Sequence, residues 1–237
     1  MSAMTVAFAE SWERLWYERI KARQLEVPFP VLSSNGMAAG PTLDAAVVAS
    51  RSELIERAVV LSVWATQHGT LLENESSPKA LFLRWLLLRR GWTCHVRRIA
   101  VEHFGDVLIG FAQHPKKGTV FDSVHVSVAD SYNKLLGNLL RMATTEVECL
   151  TNLASVDAPL SHGAFYRDGE RNCAFDFLAK REQELIKLPT PELLKTFALT
   201  DVSIFPALAI SHHPNWPPLR WGTQSIAGAN PWPHPIA

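Results

Sequence analysis

The sequence A-S-R-S-E-L-I-E-R, from Ala49 to Arg57, lies inside a run of residues that are otherwise apolar or small. Between residues 45 and 64 the formal charges are Arg51, Glu53, Glu56 and Arg57. A helix that is apolar most of the way round is normally buried. Glu53, Glu56 and Arg57 are spaced i, i+3 and i+4, so they share one helical face. Because buried carboxylates are costly unless they are paired, hydrogen-bonded or bound to a metal, the pattern predicts a buried helix whose acidic face requires a partner.

The pattern E-x-x-E-R occurs twice, once from Glu10 to Arg14 and again from Glu53 to Arg57. Glutamate oxygens are hard ligands that suit Mg²⁺, which commonly bridges one or two carboxylates and the phosphates of a substrate. Nearby arginines can offset phosphate charge or hold the carboxylates in place. The same spacing also fits ordinary Glu–Arg pairs, each worth a few tenths of a kcal/mol. Two copies in apolar helices leave both interpretations open.

The chain as a whole predicts an α+β domain, because helical patterns alternate with short groups of strands. Leu81, Trp85 and Leu88 are predicted to point inward from the third helix. Thr42 is expected to cap the second helix and Pro78 to begin the third. The predicted helices cover about 4–23, 42–67, 78–91, 128–153, 174–188 and 191–198, and the predicted strands cover 93–101, 106–111, 119–126 and 202–210. Residues 1–213 are predicted to form one compact domain, and residues 214–237 a proline-rich tail without regular structure.

Composition excludes several classes of protein. Lys plus Arg and Asp plus Glu both number 23, and this zero net charge disfavours a broad basic surface for nucleic acid or an anionic membrane. The three cysteines form no C-x-x-C pair and predict neither a zinc site nor a disulfide framework. No secretory signal and no membrane-spanning run is present, so a soluble cytoplasmic protein is expected. The sequence also contains no P-loop, G-x-G-x-x-G or G-x-S-x-G motif.

Three segments and the tail carry a resemblance to a known family. S-N-G-M-A-A-G-P-T-L-D-A-A-V-V-A-S-R-S-E-L-I-E-R (Ser34–Arg57) resembles the signature of YcaO-domain proteins, roughly S-N-G-L-A-x-G-N-T-x-E-E-A followed by E-x-x-E-R. A-F-A-E-S-W-E-R in the first helix resembles the earlier S-A-x-x-E-x-x-E-R of that family. L-L-R-M-A-T-T-E-V-E-C (Leu139–Cys149) resembles its later A-x-x-R-A-x-x-E segment, and N-P-W-P-H-P-I-A resembles its P-x-P-x-P tail. In this sequence Val6, Pro41 and Ala45 replace the Ser, Asn and Glu of the family pattern.

The resemblance implies a YcaO-like fold, with helices packed on antiparallel sheets and shortened at its N-terminus. It implies an ATP- and Mg²⁺-dependent cyclodehydratase that converts Cys, Ser or Thr of a peptide to thiazoline or oxazoline by phosphorylating a backbone amide. The residues that match the family motifs fall into three groups. The metal ligands would be Glu10, Glu13, Glu53 and Glu56; the nucleotide site would add Arg14, Arg57 and Glu146; and Arg57, Pro235 and the carboxylate of Ala237 would belong to the catalytic centre.

The resemblance also implies partners of the microcin or trifolitoxin type. These are a ribosomally made precursor peptide, a leader-binding protein and a flavin-dependent dehydrogenase, assembled in an oligomeric complex without nucleic acid or membrane. Two alternatives stay open at the level of sequence. One is a degenerate member that serves as a scaffold or precursor-binding subunit. The other is an enzyme of the same chemistry that forms a thioamide or an amidine.

Overall fold

The computed structural model describes a chain that divides into two compact units. The described residues are 3–23, 25–31, 34–67, 71–73, 75–148, 151, 159–179, 188, 191–199, 207–216 and 232–236, with side chains except at 3–10, 71–72, 159–161, 179 and 191. The first unit comprises Met1–Ala58 and Pro189–Leu219, and the second comprises Val59–Leu188 and Arg220–Ala237. The boundary predicted at residue 213 stays a prediction, since 217–231 lie outside the described residues.

The first unit contains helix α1 (Ala3–Lys21), the first sixteen residues of helix α2 (Leu43–Thr66), and strands β1 (Met37–Gly40), β6 (Lys195–Leu199) and β7 (Ala207–His212). The three strands form an antiparallel sheet in the order β1–β7–β6. A short 3₁₀ helix, Pro191–Leu193, precedes β6. The core of this unit joins α1 to the sheet and contains Trp16, Phe29, Met37, Leu208 and Ile210.

The second unit is built on an antiparallel sheet in the order β2–β3–β4–β5. Its elements are strands β2 (Leu71–Leu72), β3 (Thr93–Ile99), β4 (Val107–His114) and β5 (Gly118–His125), helices α3 (Pro78–Arg89), α4 (Ser131–Thr144) and α5 (Pro159–Phe165), and a 3₁₀ helix at Gly169–Ala179. Helices α3 and α4 bury Leu87, Leu135 and Leu139 against the sheet together with Trp92. Mixed helices and antiparallel sheets confirm the predicted α+β class.

The long apolar helix α2 is buried for only part of its length. Almost every residue from Leu54 to Ala65 is buried, whereas Asp44, Val48 and Arg51 in its first turns are exposed. The helix starts as predicted, because the Thr42 hydroxyl accepts a hydrogen bond from the Ala45 N–H at 3.2 Å. Helix α3 likewise starts with a cap from Ser77 and with Pro78 in its first turn.

The described secondary structure differs from the sequence predictions at several places. The helix predicted at 191–198 is instead a 3₁₀ turn and strand β6, because Thr196 and Phe197 pair with β7 and favour extended backbone. Strand β1 was not predicted, since its Met-Ala-Ala-Gly sequence has little strand propensity and pairing with β7 forms it. Only a 3₁₀ helix ending at Ala179 is described within the helix predicted at 174–188.

Helix α4 is shorter than the predicted 128–153. It ends at Thr144, and Thr145 is extended. The guanidinium of Arg167 donates hydrogen bonds to the carbonyls of Met142 at 2.9 Å and of Thr145 at 3.0 Å. These bonds satisfy carbonyls at the helix end, which explains why the helix stops there. A residue this distant in sequence could not be recognised as a cap from local pattern.

The predicted inward face of α3 is also wrong. Leu81, Trp85 and Leu88 are each more than half exposed, and the residues of this helix that enter the core are Ala80 and Leu87. The apolar residues of α3 occupy nearly its whole circumference, so periodicity alone cannot identify the core face.

Two remaining sequence expectations can be compared with the described residues. Cys94 and Cys173 are free thiols, and Cys149 lies outside the described residues. Within the described part of the chain, none of the helices combines the length and apolar character needed to cross a membrane.

A matched pair of glycine substitutions tests the packing of the second unit. Gly118 has a φ of +75°, and an added Cβ would meet the Tyr166 carbonyl oxygen at 2.0 Å, so Gly118→Ala should lower the free energy of unfolding by about 3 kcal/mol or more. Gly137 lies inside α4 with open space around it, so Gly137→Ala should raise that free energy by about 0.5–1 kcal/mol. Urea unfolding measures both, and equal effects of the two substitutions would contradict this packing.

Candidate functional site

The second E-x-x-E-R motif lies on α2 at the point where the helix becomes buried. The pKa of Glu53 is raised from its ordinary value of 4.5 to about 8, mainly by burial and also by the carboxylates of Glu13 and Glu56, against the lowering effect of Arg57. Glu13 and Glu56 therefore each lie close enough to Glu53 to interact with it electrostatically. The structure thus places one glutamate of the first motif near the glutamates of the second.

The segment 34–40 holds these glutamates through its main chain. The N–H of Gly36 donates a hydrogen bond to Glu53, and the N–H of Ala39 donates to Glu13 Oε1 at 2.7 Å. Main-chain donors in a strand and a tight turn are fixed in direction, so each carboxylate is oriented independently of arginine. The S-N-G-M-A-A-G sequence is therefore the structural link between the two motif helices.

Two glycines of this segment are required by close contacts. Gly36 has a φ of +74°, and a Cβ there would lie 2.7 Å from the Ser211 carbonyl oxygen and 3.2 Å from Leu54 Cβ. At Gly40 an added Cβ would lie 2.7 Å from the Ala46 nitrogen at the start of α2. Only glycine lets the backbone approach the helix and the neighbouring strand this closely.

A hydroxyl network fixes α2 to the sheet of the first unit. The buried Ser50 Oγ lies 2.7 Å from Ser211 Oγ, which lies 3.0 Å from Thr196 Oγ1. Arg51 Nε donates to the same Thr196 oxygen at 2.8 Å. The Ser211 N–H donates to the Gly36 carbonyl at 2.7 Å, so the network reaches the turn that holds Glu53. These polar groups satisfy one another inside an apolar helix–sheet contact.

The donor set of this site fits Mg²⁺ that is shared with phosphate. Among the described residues, no three His, Cys, Asp or Glu side chains are grouped closely enough to hold a metal ion by themselves. Mg²⁺ usually keeps water and takes one or two protein carboxylates together with substrate phosphates. Three interacting carboxylates, one of them with a pKa of about 8, form an environment in which an added cation is favourable.

The other predicted site residues are placed as follows. Glu10 lies in α1, and its side chain is outside the described part of the structure, while Arg14 is exposed. Glu146 is in the second unit, exposed just after α4, and lines a cleft of about 570 Å³ with Arg90, Lys116 and Arg167. Glu146 thus belongs to the second unit, whereas the glutamates of the two motifs belong to the first.

The proline-rich tail is held inside the second unit by its main chain. Three consecutive carbonyls accept hydrogen bonds: Trp232 from Trp64 Nε1 at 2.9 Å, Pro233 from the Tyr166 hydroxyl, and His234 from His162 Nδ1 at 2.6 Å. We call these three donor side chains the tail clasp. His234, Pro235 and Ile236 are buried, and Ala237 lies outside the described residues.

Sequence reasoning missed the amides of Gly36 and Ala39 and the whole tail clasp. Main-chain donors are not tied to a residue type, so only the glycines of the turn could have indicated them in the sequence. The clasp residues come from two separate parts of the sequence, Trp64 and the pair His162 and Tyr166, and resemble ordinary core aromatics. Ser50 and Ser52, both buried in an otherwise apolar run, are the one signal that could have indicated a polar network.

Comparisons with known proteins concern the family and the fold of the chain. Residues 2–103 match the model of a family described as YcaO cyclodehydratase, ATP- and Mg²⁺-binding. A search of curated protein sequences finds no match. The resemblance noted in the sequence, and the fold class that it implies, are confirmed.

Three solved structures illustrate the similarity of fold. A heterocyclase in complex with substrate and cofactor is 15% identical with a TM-score of 0.61, covering 86% of this chain and 31% of that one. The heterocyclase TruD is 13% identical with a TM-score of 0.56, covering 86% and 32%. A chain of the E. coli microcin synthetase McbBCD complex is 12% identical with a TM-score of 0.56, covering 86% and 63%. The chain therefore spans about a third of the heterocyclases and under two thirds of the synthetase chain.

The raised pKa of Glu53 predicts a pH dependence of stability. In the unfolded chain this carboxyl loses its proton near pH 4.5, whereas in the folded protein it keeps the proton up to about pH 8. The folded state then binds more protons between these values, so Glu53 makes stability fall as pH rises through this window, with no further change above it. Glu53→Gln should remove this contribution, so the variant gains stability relative to the parent as pH rises from 5 to 8.

Urea unfolding of both proteins at several pH values tests this, because the difference between them cancels the titration of unchanged histidines. Glu18→Gln is the matched control, since Glu18 is exposed and pairs with Lys21 on the surface of α1. A difference between Glu53→Gln and the parent that stays constant from pH 5 to pH 8 would contradict the raised pKa.

Loss of a clasp donor should loosen the tail specifically. Tyr166→Phe leaves the buried Pro233 carbonyl without this donor and should cost about 1–3 kcal/mol of stability. Carboxypeptidase should then release Ile236, which is 2% exposed, faster than from the parent protein. Ser77→Ala is the control, because loss of the α3 cap destabilises the same unit by about 1 kcal/mol without touching the tail. Equal release rates from the two variants would argue against the clasp.

Proposed function

We propose that this chain, whose residues 2–103 match the YcaO family model and whose fold is similar to that of a solved heterocyclase, is an ATP-dependent cyclodehydratase subunit. Its substrate would be a ribosomally made precursor peptide, and its products thiazoline or oxazoline rings formed from Cys, Ser or Thr. The family description, which names ATP and Mg²⁺, supports the two cofactors of this proposal.

The observation that carries the proposal is the group of interacting carboxylates in the first unit. Glu13, Glu53 and Glu56 come from two motif helices, and the energy of burial already keeps a proton on Glu53. A structural acidic pair would be stabilised by a nearby arginine, yet here Arg57 does not offset the burial of Glu53. An arrangement that is unfavourable by itself is typical of a binding site for a cationic or metal-bound ligand.

The proposed reaction consumes one ATP for each ring that is formed. The side-chain sulfur or oxygen attacks the preceding carbonyl carbon and gives up its proton, which leaves an oxyanion on the former amide. That oxygen takes the γ-phosphoryl group of ATP, releasing ADP. It then departs as phosphate while the amide nitrogen loses its proton and the C=N bond of the ring forms. The peptide loses one water in total, and its oxygen leaves in the phosphate.

The residues of this chain would position the reactants. Glu10, Glu13, Glu53 and Glu56 would hold Mg²⁺, with the main-chain amides of Gly36 and Ala39 fixing two of these carboxylates. Bound Mg²⁺ would supply charge neutralisation for the phosphates, which is the main contribution to catalysis in phosphoryl transfer. Arg14 and Arg57 would contact the phosphates from the same two helices. The nucleotide-binding role that the family resemblance implies for Glu146 stays a prediction.

The C-terminal tail would supply the proton acceptor. We assign this role to the carboxylate of Ala237, with Pro235 as its neighbour in the tail. The support is that the three clasp bonds hold the main chain of residues 232–234, which precede these positions. A base must be held within hydrogen-bond reach of the proton it removes.

The partners belong to the same proposal. A leader-binding protein would deliver the precursor peptide, and a flavin-dependent dehydrogenase would oxidise the azoline rings. The support is the similarity of fold to a chain of the E. coli microcin synthetase McbBCD complex. Forming a thioamide or an amidine would need the same activated amide and a different nucleophile.

A second candidate is a scaffold or precursor-binding subunit that has lost catalysis. The observation in its favour is that no described group of three ligands could hold a metal alone. Isothermal calorimetry with ATP and Mg²⁺ on the assembled complex separates the candidates, because the scaffold would bind no nucleotide at any Mg²⁺ concentration.

Substitutions of the glutamates test the enzyme directly. Glu53→Gln and Glu56→Gln should each lower precursor-dependent phosphate release and loss of water by about 100-fold or more, the scale of removing one charge-stabilising group. Glu18→Gln, which lies on α1 five residues after Glu13, should leave both rates unchanged. Mass spectrometry of the precursor and a phosphate assay measure the two products. Full activity in Glu53→Gln and Glu56→Gln would show that the site assignment is wrong.

A further inference from the structure

Helix α3 presents two apolar faces, and the described structure covers only one of them. Ala80 and Leu87 are fully buried on the side that packs against the sheet. On the opposite side, four large side chains are half or more exposed: Leu81, Phe82, Trp85 and Leu88, at 54%, 56%, 51% and 66%. We call these four residues the α3 patch.

The four residues form one continuous surface. Their spacing of i, i+1, i+4 and i+7 places them on a single stripe of the helix. The rings of Phe82 and Trp85 are stacked, with centroids 5.9 Å apart and planes 23° apart. Contiguous exposed apolar patches with aromatic residues are typical of protein–protein contacts, whereas single exposed apolar residues need no explanation. The patch is therefore a candidate docking surface.

The charge of α3 indicates the chemistry of what covers the patch. Residues 78–89 include three cations and no carboxylate. Lys79 pairs with Asp130, and Arg84 bonds to Tyr132. Arg89 lies over the Trp85 ring at 5.8 Å, within the patch, and forms no ion pair with any described residue. A carboxylate brought to the patch would meet this guanidinium directly.

The end of α3 is more basic still. Arg90 lines the cleft that also contains Lys116, Lys117 and Arg167, with Glu146 as its acidic residue. A second copy of this chain would bring another α3 to the contact. That helix carries cations but no carboxylate that could pair with Arg89. Like charges brought together across an interface cost several kcal/mol, whereas opposite charges favour the complex. The charge therefore favours an acidic partner over self-association.

We propose that the α3 patch binds an amphipathic helix of a partner protein, with apolar residues on one stripe and Asp or Glu beside them. Phe82 and Trp85 would be the buried anchors, since aromatic residues dominate binding energy at such contacts. Arg89 would pair with an acidic residue on the flank of the partner helix. This contact goes beyond the proposed chemistry and does not depend on it.

The test uses two synthetic helical peptides of equal length with leucines at i, i+3, i+4 and i+7. One carries glutamates on its flanks and the other carries lysines. Fluorescence anisotropy with the full-length chain should show saturable binding of the glutamate peptide, at least 10-fold tighter than binding of the lysine peptide. The double variant Phe82→Gln, Trp85→Gln should weaken it by at least 10-fold. Val48→Gln, an equally exposed apolar residue of α2, should leave it unchanged.

A charge-reversal variant keeps the test decisive even if the double variant Phe82→Gln, Trp85→Gln does not fold. Arg89→Glu keeps the apolar patch and should invert the preference, so that the lysine peptide binds more tightly. Equal affinities of the two peptides for the parent protein would overturn the proposal, as would a preference that Arg89→Glu leaves unchanged. Light scattering of the parent provides the other decisive outcome: a dimer that Phe82→Gln, Trp85→Gln dissociates would show that a second copy covers the patch.

Discussion

The hydrogen bonds from segment 34–40 to the two motif helices are the interaction on which the candidate site depends. The Gly36 amide holds Glu53, and the Ala39 amide holds Glu13. Because the segment then continues into β1, which pairs with β7, the positions of both carboxylates follow from the register of a sheet. The glycines at 36 and 40 are needed for the same reason, since any side chain there would push the segment away from α2 or β7.

This arrangement also explains why the group of carboxylates is electrostatically unfavourable in the folded protein. Backbone amides orient a carboxylate but supply only partial charges, so they do not compensate for the burial of Glu53 beside two other glutamates. Arg57 on the same helix lowers the pKa of Glu53, and burial still prevails. Keeping these oxygens close together lowers the stability of the folded protein, as is common in binding sites for cationic ligands.

Sequence alone predicted the elements whose signals are local. The cap at Thr42, the start at Pro78 and the predicted strands at 93–101, 106–111 and 119–126 gave helices and strands within a few residues of those observed. It failed where a distant contact decides the outcome: Arg167 ends α4, β7 imposes strand structure on Thr196 and Phe197, and the sheet selects which face of α3 is buried. In the site, the glutamates carry a motif, whereas main-chain amides and the residues Trp64, His162 and Tyr166 do not.

The tail clasp constrains the molecule in a way that side-chain identity does not reveal. Its three donors bind consecutive main-chain carbonyls. The contact therefore depends on the number of residues in the segment and not on their side chains. A substitution at 232, 233 or 234 leaves the number of residues unchanged. Deleting one residue from 235–236 would move the residues after the deletion by about 3.3 Å, the length of one extended residue. A displacement of that size exceeds the tolerance of a hydrogen bond. The clasp therefore makes the backbone position of the tail depend on the number of its residues.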